Sequence, residues 1–597
     1  MKHICYIYVY KYKMLEGIGI AFNPDYTYCM KENVLTIETA KNKVPAGFWG
    51  EHISSLSALI GENGSGKSTT LELLFHILTD GAASDDVQAA VVYEQEDRLH
   101  CFVPSGHDIQ IEGLACDKEK VRPKLCSMYY TGYFSPYFSY EYPRDNQLTG
   151  SFNMSDGYLM IRDLQDYSNV DTLHLTEPLG NHLLSHIAQD NFRITCLLAD
   201  SDIRDSLKTY TLPRYLFIVP NKSGYNAIRR NQFGNYKNLD IPDPKWSLSA
   251  EQNLLALFIY HNFLDVIAEE KSEESVAGLN EWLNAIGGSN DVLHSLLSVI
   301  TDKGPDEKIA DKLHRVYYVL LELKNIASYS EKYGSYYIDT KESSVDLKEW
   351  MQRVYLQSGY LVARCFDIEY SKTLNPYMRL STGELVVLKL FSRLYYALAL
   401  PYNRFTNLEE AELLLIDEAE IGLHPEWQRT FANSLVEFVN VVMRESDKKI
   451  QIVLASHSPF VLSDIPTNCA TFLQVGMNEI EEPMSILAVM KGNTTFGANL
   501  YDLIKDGYFL SNSIGEFAQH KIQDFYRVYN AEGKDQEAMF LSGYEEFKFV
   551  VDSIADPLIA QDAKSKFYQL CRKYKHAELR EQLEREILER QQMLAVL

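Results

Sequence analysis

The chain has 597 residues and a formal net charge of −25, with 46 % apolar and 12 % aromatic residues. That supply of apolar side chains fills the cores of roughly two to four domains and excludes a disordered chain. The acidic balance excludes a protein that grips nucleic acid over its whole surface.

The nine cysteines (Cys5, Cys29, Cys101, Cys116, Cys126, Cys196, Cys365, Cys469, Cys571) are scattered without a CxxC pair. Reduced thiols in a cytosol are expected, not a disulfide framework or a zinc ribbon. The longest apolar candidate, Leu385–Leu400, is broken by Lys389 and Arg393. It falls short of the roughly 18 apolar residues a spanning helix needs. A cytoplasmic protein with no membrane role is expected.

In chain order, Met1–Tyr8 reads as a strand, not a secretory signal. The apolar run Leu56–Ile60 leads into Gly61-Glu62-Asn63-Gly64-Ser65-Gly66-Lys67-Ser68, and Thr69–Leu78 reads as a helix. Ala89–Tyr93 and Leu99–Val103 alternate, predicting an antiparallel β arm beside the strand that ends at Gly61. Tyr129–Pro136 closes this lobe, at about residue 140.

Residues 141–375 read as a mostly helical insertion. Its clearest helices are Gln252–Ile267 and Lys308–Ile326, separated by links such as Gly287-Gly288-Ser289. Leu313, Val316, Tyr317, Leu320 and Leu323 follow the i, i+3, i+4 spacing of a packed helix. Lys208–Asn238 carries Lys208, Arg214, Lys222, Arg229, Arg230 and Lys237 with no acid, and interleaves Tyr225, Phe233 and Tyr236. This segment is either a solvated basic loop or a surface that stacks a nucleic-acid strand.

Residues 376–500 return to alternating strand and helix. Leu380-Ser381-Thr382-Gly383-Glu384 precedes the helical stretch Leu385–Leu400. Leu413–Ile416 ends in Asp417 and Glu418, and Val453–Pro459 follows on a new strand bearing Ser456 and His457. Residues 501–597 are helical and charged. Glu578–Leu594 places Leu579, Leu583, Ile587 and Leu594 on one stripe, for a helix folded on its own domain or one that docks a partner.

The chemistry follows from residue type and position. Backbone N–H groups of the glycine-rich turn from Gly61 through Thr69 wrap phosphates, and the helix N-terminus adds a favourable field. Lys67 reaches the β- and γ-phosphates of ATP, and Ser68 with Asp417 holds Mg²⁺. Glu418 is expected to orient and deprotonate the attacking water as a general base. Ser381, Thr382 and Glu384 also read as an ordinary helix cap.

In this order the segments resemble ATP-binding-cassette (ABC) ATPases: Walker A, an LSxGE signature, Walker B with a glutamate, and a switch histidine. The resemblance implies an α/β fold: an ABC-type P-loop head with an antiparallel β arm, a long helical insertion and a helical C-terminal region. It also implies that Ser381, Thr382, Gly383 and Glu384 complete the site of a second protomer in a homodimer, and that His457 contacts the γ-phosphate and senses its loss. Ala419–Gln428 is similar to the loop of OLD-type and RecF-like ATPases, with Ala419 where proline is usual. Thr495–Leu503 and Ile514–Ala518 resemble the C-terminal region of Septu-type anti-phage defence ATPases. Those proteins act with a separate HNH-type nuclease, and relatives occur in retron operons, with a reverse transcriptase and its msDNA product as further partners. The glutamine expected on Mg²⁺ has no clear counterpart, because Gln88 and Gln95 are poorly placed.

Two other patterns are decoys. Ala531–Asp535 imitates the opening of a Toprim nuclease around Glu532 but lacks a strong preceding apolar strand and the later DxD pair. His174, Asn181, His182 and His186 imitate an HNH set without a ββα-metal context. The function expected is therefore an ATPase subunit that gates a separate nuclease. The alternatives are a RecF- or SMC-like repair ATPase that clamps DNA directly and a slow nucleotide-gated scaffold.

Overall fold

The computed structural model describes residues 2–79, 88–132, 151–156, 158–159, 179–220, 247–270, 273–286, 291–302, 307–342, 347, 349–350, 366–399, 411–478, 482–488, 494–507 and 514–576. Two compact units divide the chain, Met1–Phe509 and Leu510–Leu597.

The first unit is built on a seven-stranded sheet. Its order is Phe152–Asn153, Cys126–Thr131, Ala411–Asp417, Ile450–Ser456, Ile53–Gly61, Ala470–Met477 and Pro483–Ala488. The first six strands are parallel and the last is antiparallel. Leu413–Leu415 and Ile450–Ser456 are buried along their length, the signature of strands covered on both faces. Ser456 lies opposite Ile60, Ala455 opposite Asp417, and Asp417 opposite Thr131. This register brings the carboxyl ends of four adjacent strands to one edge, where α/β sheets bind ligands.

One face of the sheet packs Lys67–Thr79 and the N-terminal arm through Leu59, Leu74, Phe75, Leu413 and Val453. The arm is a five-stranded sheet, Leu15–Ala21, Lys2–Tyr12, Gln88–Gln95, Arg98–Phe102 and Cys116–Glu119, under a three-stranded sheet, Tyr26–Lys31, Val34–Thr39 and Gln110–Gly113. The expectation of a purely antiparallel arm needs correction at two edges. Arg98–Phe102 pairs in parallel with Cys116–Glu119, and Val34–Thr39 with Gln110–Gly113. Between Phe102 and Cys116 the chain passes through the second sheet, so it re-enters the first in the same direction.

The inserted region combines the helices Leu179–Ala199, Ser201–Ser206, Ala250–Glu270, Glu273–Ile286, Val292–Asp302 and Glu307–Ile326 with a four-stranded antiparallel sheet. That sheet runs Ser328–Ser330, Ser335–Asp339, Tyr215–Pro220 and Phe366–Ser371. The insertion does not close a core of its own, because Phe258, Trp282, Leu320 and Trp350 share one cluster with Leu56, Leu414 and Ile452.

Leu500–Gly507 belongs to the first unit, where Leu503 is fully buried. The second unit packs Glu516–Asn530, Gly533–Ser542, Tyr544–Ser553 and Pro557–Tyr574 around Phe525, Phe540, Phe567 and Leu570. Glu578–Leu594, Lys222–Asn238, Gly287–Ser289 and Tyr133–Pro136 lie outside the described residues. Among the described residues, no helix is long and apolar enough to cross a membrane.

Candidate functional site

The phosphate-type loop leaves the buried strand at Gly61, exposes Asn63 and Gly64, and enters the helix at Lys67. Gly64 and Gly66 have φ of 75° and 94°, which L side chains rarely adopt. A Cβ on Gly66 would stand 2.4 Å from Ser485 Oγ, so the loop tolerates no side chain there. The Thr70 hydroxyl donates to Gly66 O at 2.8 Å, tying the loop to the first helical turn. That turn contains no acid, so its partial positive charge is left for an anion. The hydroxyls of Ser65 and Ser485 are buried beside the loop without a hydrogen-bond partner.

Lys67, only 4 % exposed, donates to Gly61 O at 3.2 Å and Glu62 O at 2.9 Å. Burial lowers its pKa to about 8, against the pull of Glu418, Asp417 and Glu420. Ser68 Oγ lies 3.1 Å from Asp417 Oδ1, bridging helix and sheet across 349 positions of sequence. Tyr129, from the neighbouring strand, reaches the other Asp417 oxygen at 3.5 Å. Burial raises the pKa of Asp417 to about 7, assisted by Glu418 and opposed by Ser68 and Lys67.

Glu418 turns the chain at the strand end with φ of 49°, and its N–H donates to Ala455 O at 2.9 Å. This conformation is costly for a non-glycine residue and marks a position held by its surroundings. Its carboxylate oxygen lies 3.1 Å from His457 Nε2, with the Glu418 side chain buried and the His457 ring partly exposed. Asp417, Glu418, His457, Lys67 and Ser68 thus come from two adjacent strand ends and one helix start. The set offers an anion cradle, oxygen ligands for a cation and a carboxylate–imidazole pair.

The set fits Mg²⁺. The donors Asp417 and Ser68 are both oxygens, as a hard divalent cation prefers. A carboxyl pushed up to about 7 by burial gains from a neighbouring cation.

Ser381–Glu384 lies where the chain enters the helix Thr382–Ala399. Among the described residues, its hydrogen bonds and ion pairs stay local. Ser381 N–H donates to Glu384 Oε2 at 2.6 Å, and Glu384 N–H donates back to Ser381 Oγ at 3.4 Å. This reciprocal capping box starts the helix Thr382–Ala399. Burial pushes the Glu384 carboxyl up, but the Lys372 ammonium and the Ser381 donors hold it below its ordinary value. Ser381 and Thr382 are exposed, and Gly383 packs against Gly422 O, where a Cβ would stand at 3.1 Å.

Two other groups bring metal-type ligand atoms within 4.8 Å of one another. In the first, Asn23 Nδ2 lies 3.2 Å from His3 Nδ1 and donates to Cys5 Sγ at 3.7 Å, while Tyr26 donates to Glu94. Hydrogen bonds already serve these groups. In the second, Asp156, His186 and Asp190 surround the fully buried Arg393, which supplies the positive charge itself. His186 is therefore part of a buried ionic network, not an ordinary helix residue. His174 and the side chains of Asn181 and His182 lie outside the described residues. Glu532 caps Gly533–Ser542 without a side-chain cap bond. Gln88 and Gln95 end an arm strand, where Gln88 meets His107.

Sequence reasoning assigned no role to Glu420, Tyr129 or Ser485. Glu420 is 3 % exposed, and its Oε1 accepts from the Ser456 hydroxyl and from His457 N–H at 3.3 Å. A third acid within four residues of Asp417 was a usable signal; the contacts of Tyr129 and Ser485 left none.

A family model described as "AAA domain, putative AbiEii toxin, Type IV TA system" matches residues 369–463. The matched segment spans Ser381–Glu384, Asp417, Glu418 and His457. The match supports a P-loop ATPase and suggests ATPase activity, with nucleotide binding typically accompanied by Mg²⁺.

Proposed function

We propose that the chain is the ATPase subunit of a two-component anti-phage system: it dimerises around Mg·ATP and gates a separate HNH-type nuclease. The observation that carries the nucleotide part is the meeting of Lys67, Ser68, Asp417, Glu418 and His457 at one sheet edge. The loop N–H groups and Lys67 bind the phosphates, and Ser68 with Asp417 would hold Mg²⁺, which would neutralise charge on the transferring phosphoryl group. Glu418 takes the proton of the attacking water, and His457, 3.1 Å away, orients the Glu418 carboxylate. Positioning and charge stabilisation provide most of what phosphoryl transfer requires.

Dimerisation rests on the cassette resemblance and on the exposure of Ser381 and Thr382. The nuclease partner and the defence role rest on the Septu resemblance of Thr495–Leu503 and Ile514–Ala518. The net charge of −25 disfavours broad DNA binding by the chain itself.

Mixing two defective chains tests the shared site. Ser381→Arg and Lys67→Ala should each be inactive alone and regain partial ATPase activity together, because one of the two composite sites is then intact. Normal hydrolysis by Ser381→Arg alone would contradict the shared site.

A further inference from the structure

We infer that Glu420 is a positioning residue that locks the loop after Glu418 to the turn carrying His457, and so sets the carboxylate–imidazole pair. The inference rests on the ATPase reading but concerns a residue that reading does not use.

The chain reverses at Glu418, whose carbonyl accepts from Ile421 N–H at 3.2 Å. The reversal sends the Glu420 side chain back beneath the sheet edge, where it is buried. There it accepts from the Ser456 hydroxyl and from the backbone N–H of His457, 36 and 37 positions away. Ser456 Oγ in turn accepts from Ser458 N–H at 2.9 Å, and the Ser458 hydroxyl donates to Gln428 Oε1 at 2.9 Å. Gln428 Nε2 donates to Leu423 O at 3.1 Å. The hydrogen bonds therefore run from the loop, through the switch turn, into the first turn of Pro425–Val442 and back to the loop.

Burying a carboxyl at this position is costly, and the cost appears as a pKa raised mainly by burial, with Glu418 adding to it. A purely packing role would be met as well by an apolar side chain of similar volume. What an apolar side chain cannot do is fix the His457 amide and the Ser456 hydroxyl at once. With its backbone fixed, His457 keeps its ring 3.1 Å from the Glu418 carboxylate. Outer-shell hydrogen bonds of this kind align the groups that touch the reacting atoms.

The test compares Glu420→Gln with Glu420→Ala in the full chain. Gln keeps an acceptor oxygen for both donors, whereas Ala leaves both unpaired. Glu420→Ala should lower kcat by roughly 10- to 100-fold, as loss of outer-shell partners typically does. Its KM for ATP should stay within about twofold of the native value, because the phosphate contacts are untouched. Glu420→Gln should retain most of the activity. If both variants lose activity equally, Glu420 acts by proton chemistry and the positioning role is wrong. If neither does, the lock has no function. Hydrogen–deuterium exchange of the peptide containing Ser456–Ser458 reads the same contacts without hydrolysis. Exchange should accelerate in Glu420→Ala and not in Glu420→Gln, and unchanged exchange in Glu420→Ala overturns the proposal. A native chain without ATPase activity would overturn the function reading alone, because the exchange comparison still decides the role of Glu420.

Discussion

Two groups of buried carboxylates in the first unit carry opposite charge balances. At the nucleotide edge, Asp417, Glu418 and Glu420 meet Lys67, yet burial still pushes Asp417 up to about 7 and Lys67 down to about 8. In the second group, burial also pushes Asp190 and Asp156 up, but Arg393, Lys389, Arg193 and His186 hold both well below the ordinary carboxylate range. Arg393 is 1 % exposed and bonds both acids. Clustered acids and a histidine do not by themselves mark a metal site. What separates the two groups is whether the fold supplies enough positive charge of its own. Where it does, the cluster holds elements together, here Leu179–Ala199 against Thr382–Ala399. Where it falls short, as at the nucleotide edge, the proposed Mg²⁺ would complete it.

The largest effect should come from breaking the self-sufficient group. Arg393→Met leaves Asp190 and Asp156 without their main counter-charge, a loss that typically costs about 3–5 kcal/mol. Chemical denaturation measures it, and added Mg²⁺ should restore none of it. A loss below about 1 kcal/mol would mean that the remaining cations balance the acids without Arg393.

Asp417→Asn should shift stability the other way. A folded pKa near 7, above the ordinary value of 3.8, means that the native state binds more protons than the unfolded chain between those pH values. The Asp417 contribution therefore falls as pH rises through this window and is fully unfavourable above it. Without nucleotide, Asp417→Asn should be the more stable protein at about pH 8, by up to ~4 kcal/mol for a shift of this size. The difference should vanish toward about pH 4. Thermal melts across that range check it, and a less stable variant at the higher pH would show that Asp417 is already compensated.

The smallest effect belongs to the cap. Ser381→Ala removes one half of the capping box and should cost about 1 kcal/mol in a thermal melt. Mg·ATP affinity of the monomer should stay unchanged, because Ser381 makes only local hydrogen bonds in its own chain. A change in affinity without dimerisation would mean that the signature serves the site of its own protomer.

The strand ends bearing Gly61, Asp417 and His457 were legible because apolar runs followed by glycines or acids carry local information. The four-stranded sheet of the insertion was not, because Tyr215–Pro220 and Ser335–Asp339 are short and aromatic-rich, as buried helix segments also are. Arg393 read only as a charge interrupting an apolar run. Its role depends on Asp190, 203 positions away, and on Asp156, 237 positions away. The contact of Gly66 with Ser485 is likewise set by strand order, which no local pattern encodes.

The central claim is that the edge formed by Lys67, Ser68, Asp417 and Glu418 takes a nucleoside triphosphate with Mg²⁺. Isothermal titration of ATP into the native chain, Lys67→Ala and Glu418→Gln, each with and without Mg²⁺, tests it most directly. The account predicts Mg²⁺-dependent binding by the native chain and by Glu418→Gln, and its loss in Lys67→Ala. Equal ATP affinity in the native chain and Lys67→Ala would contradict it.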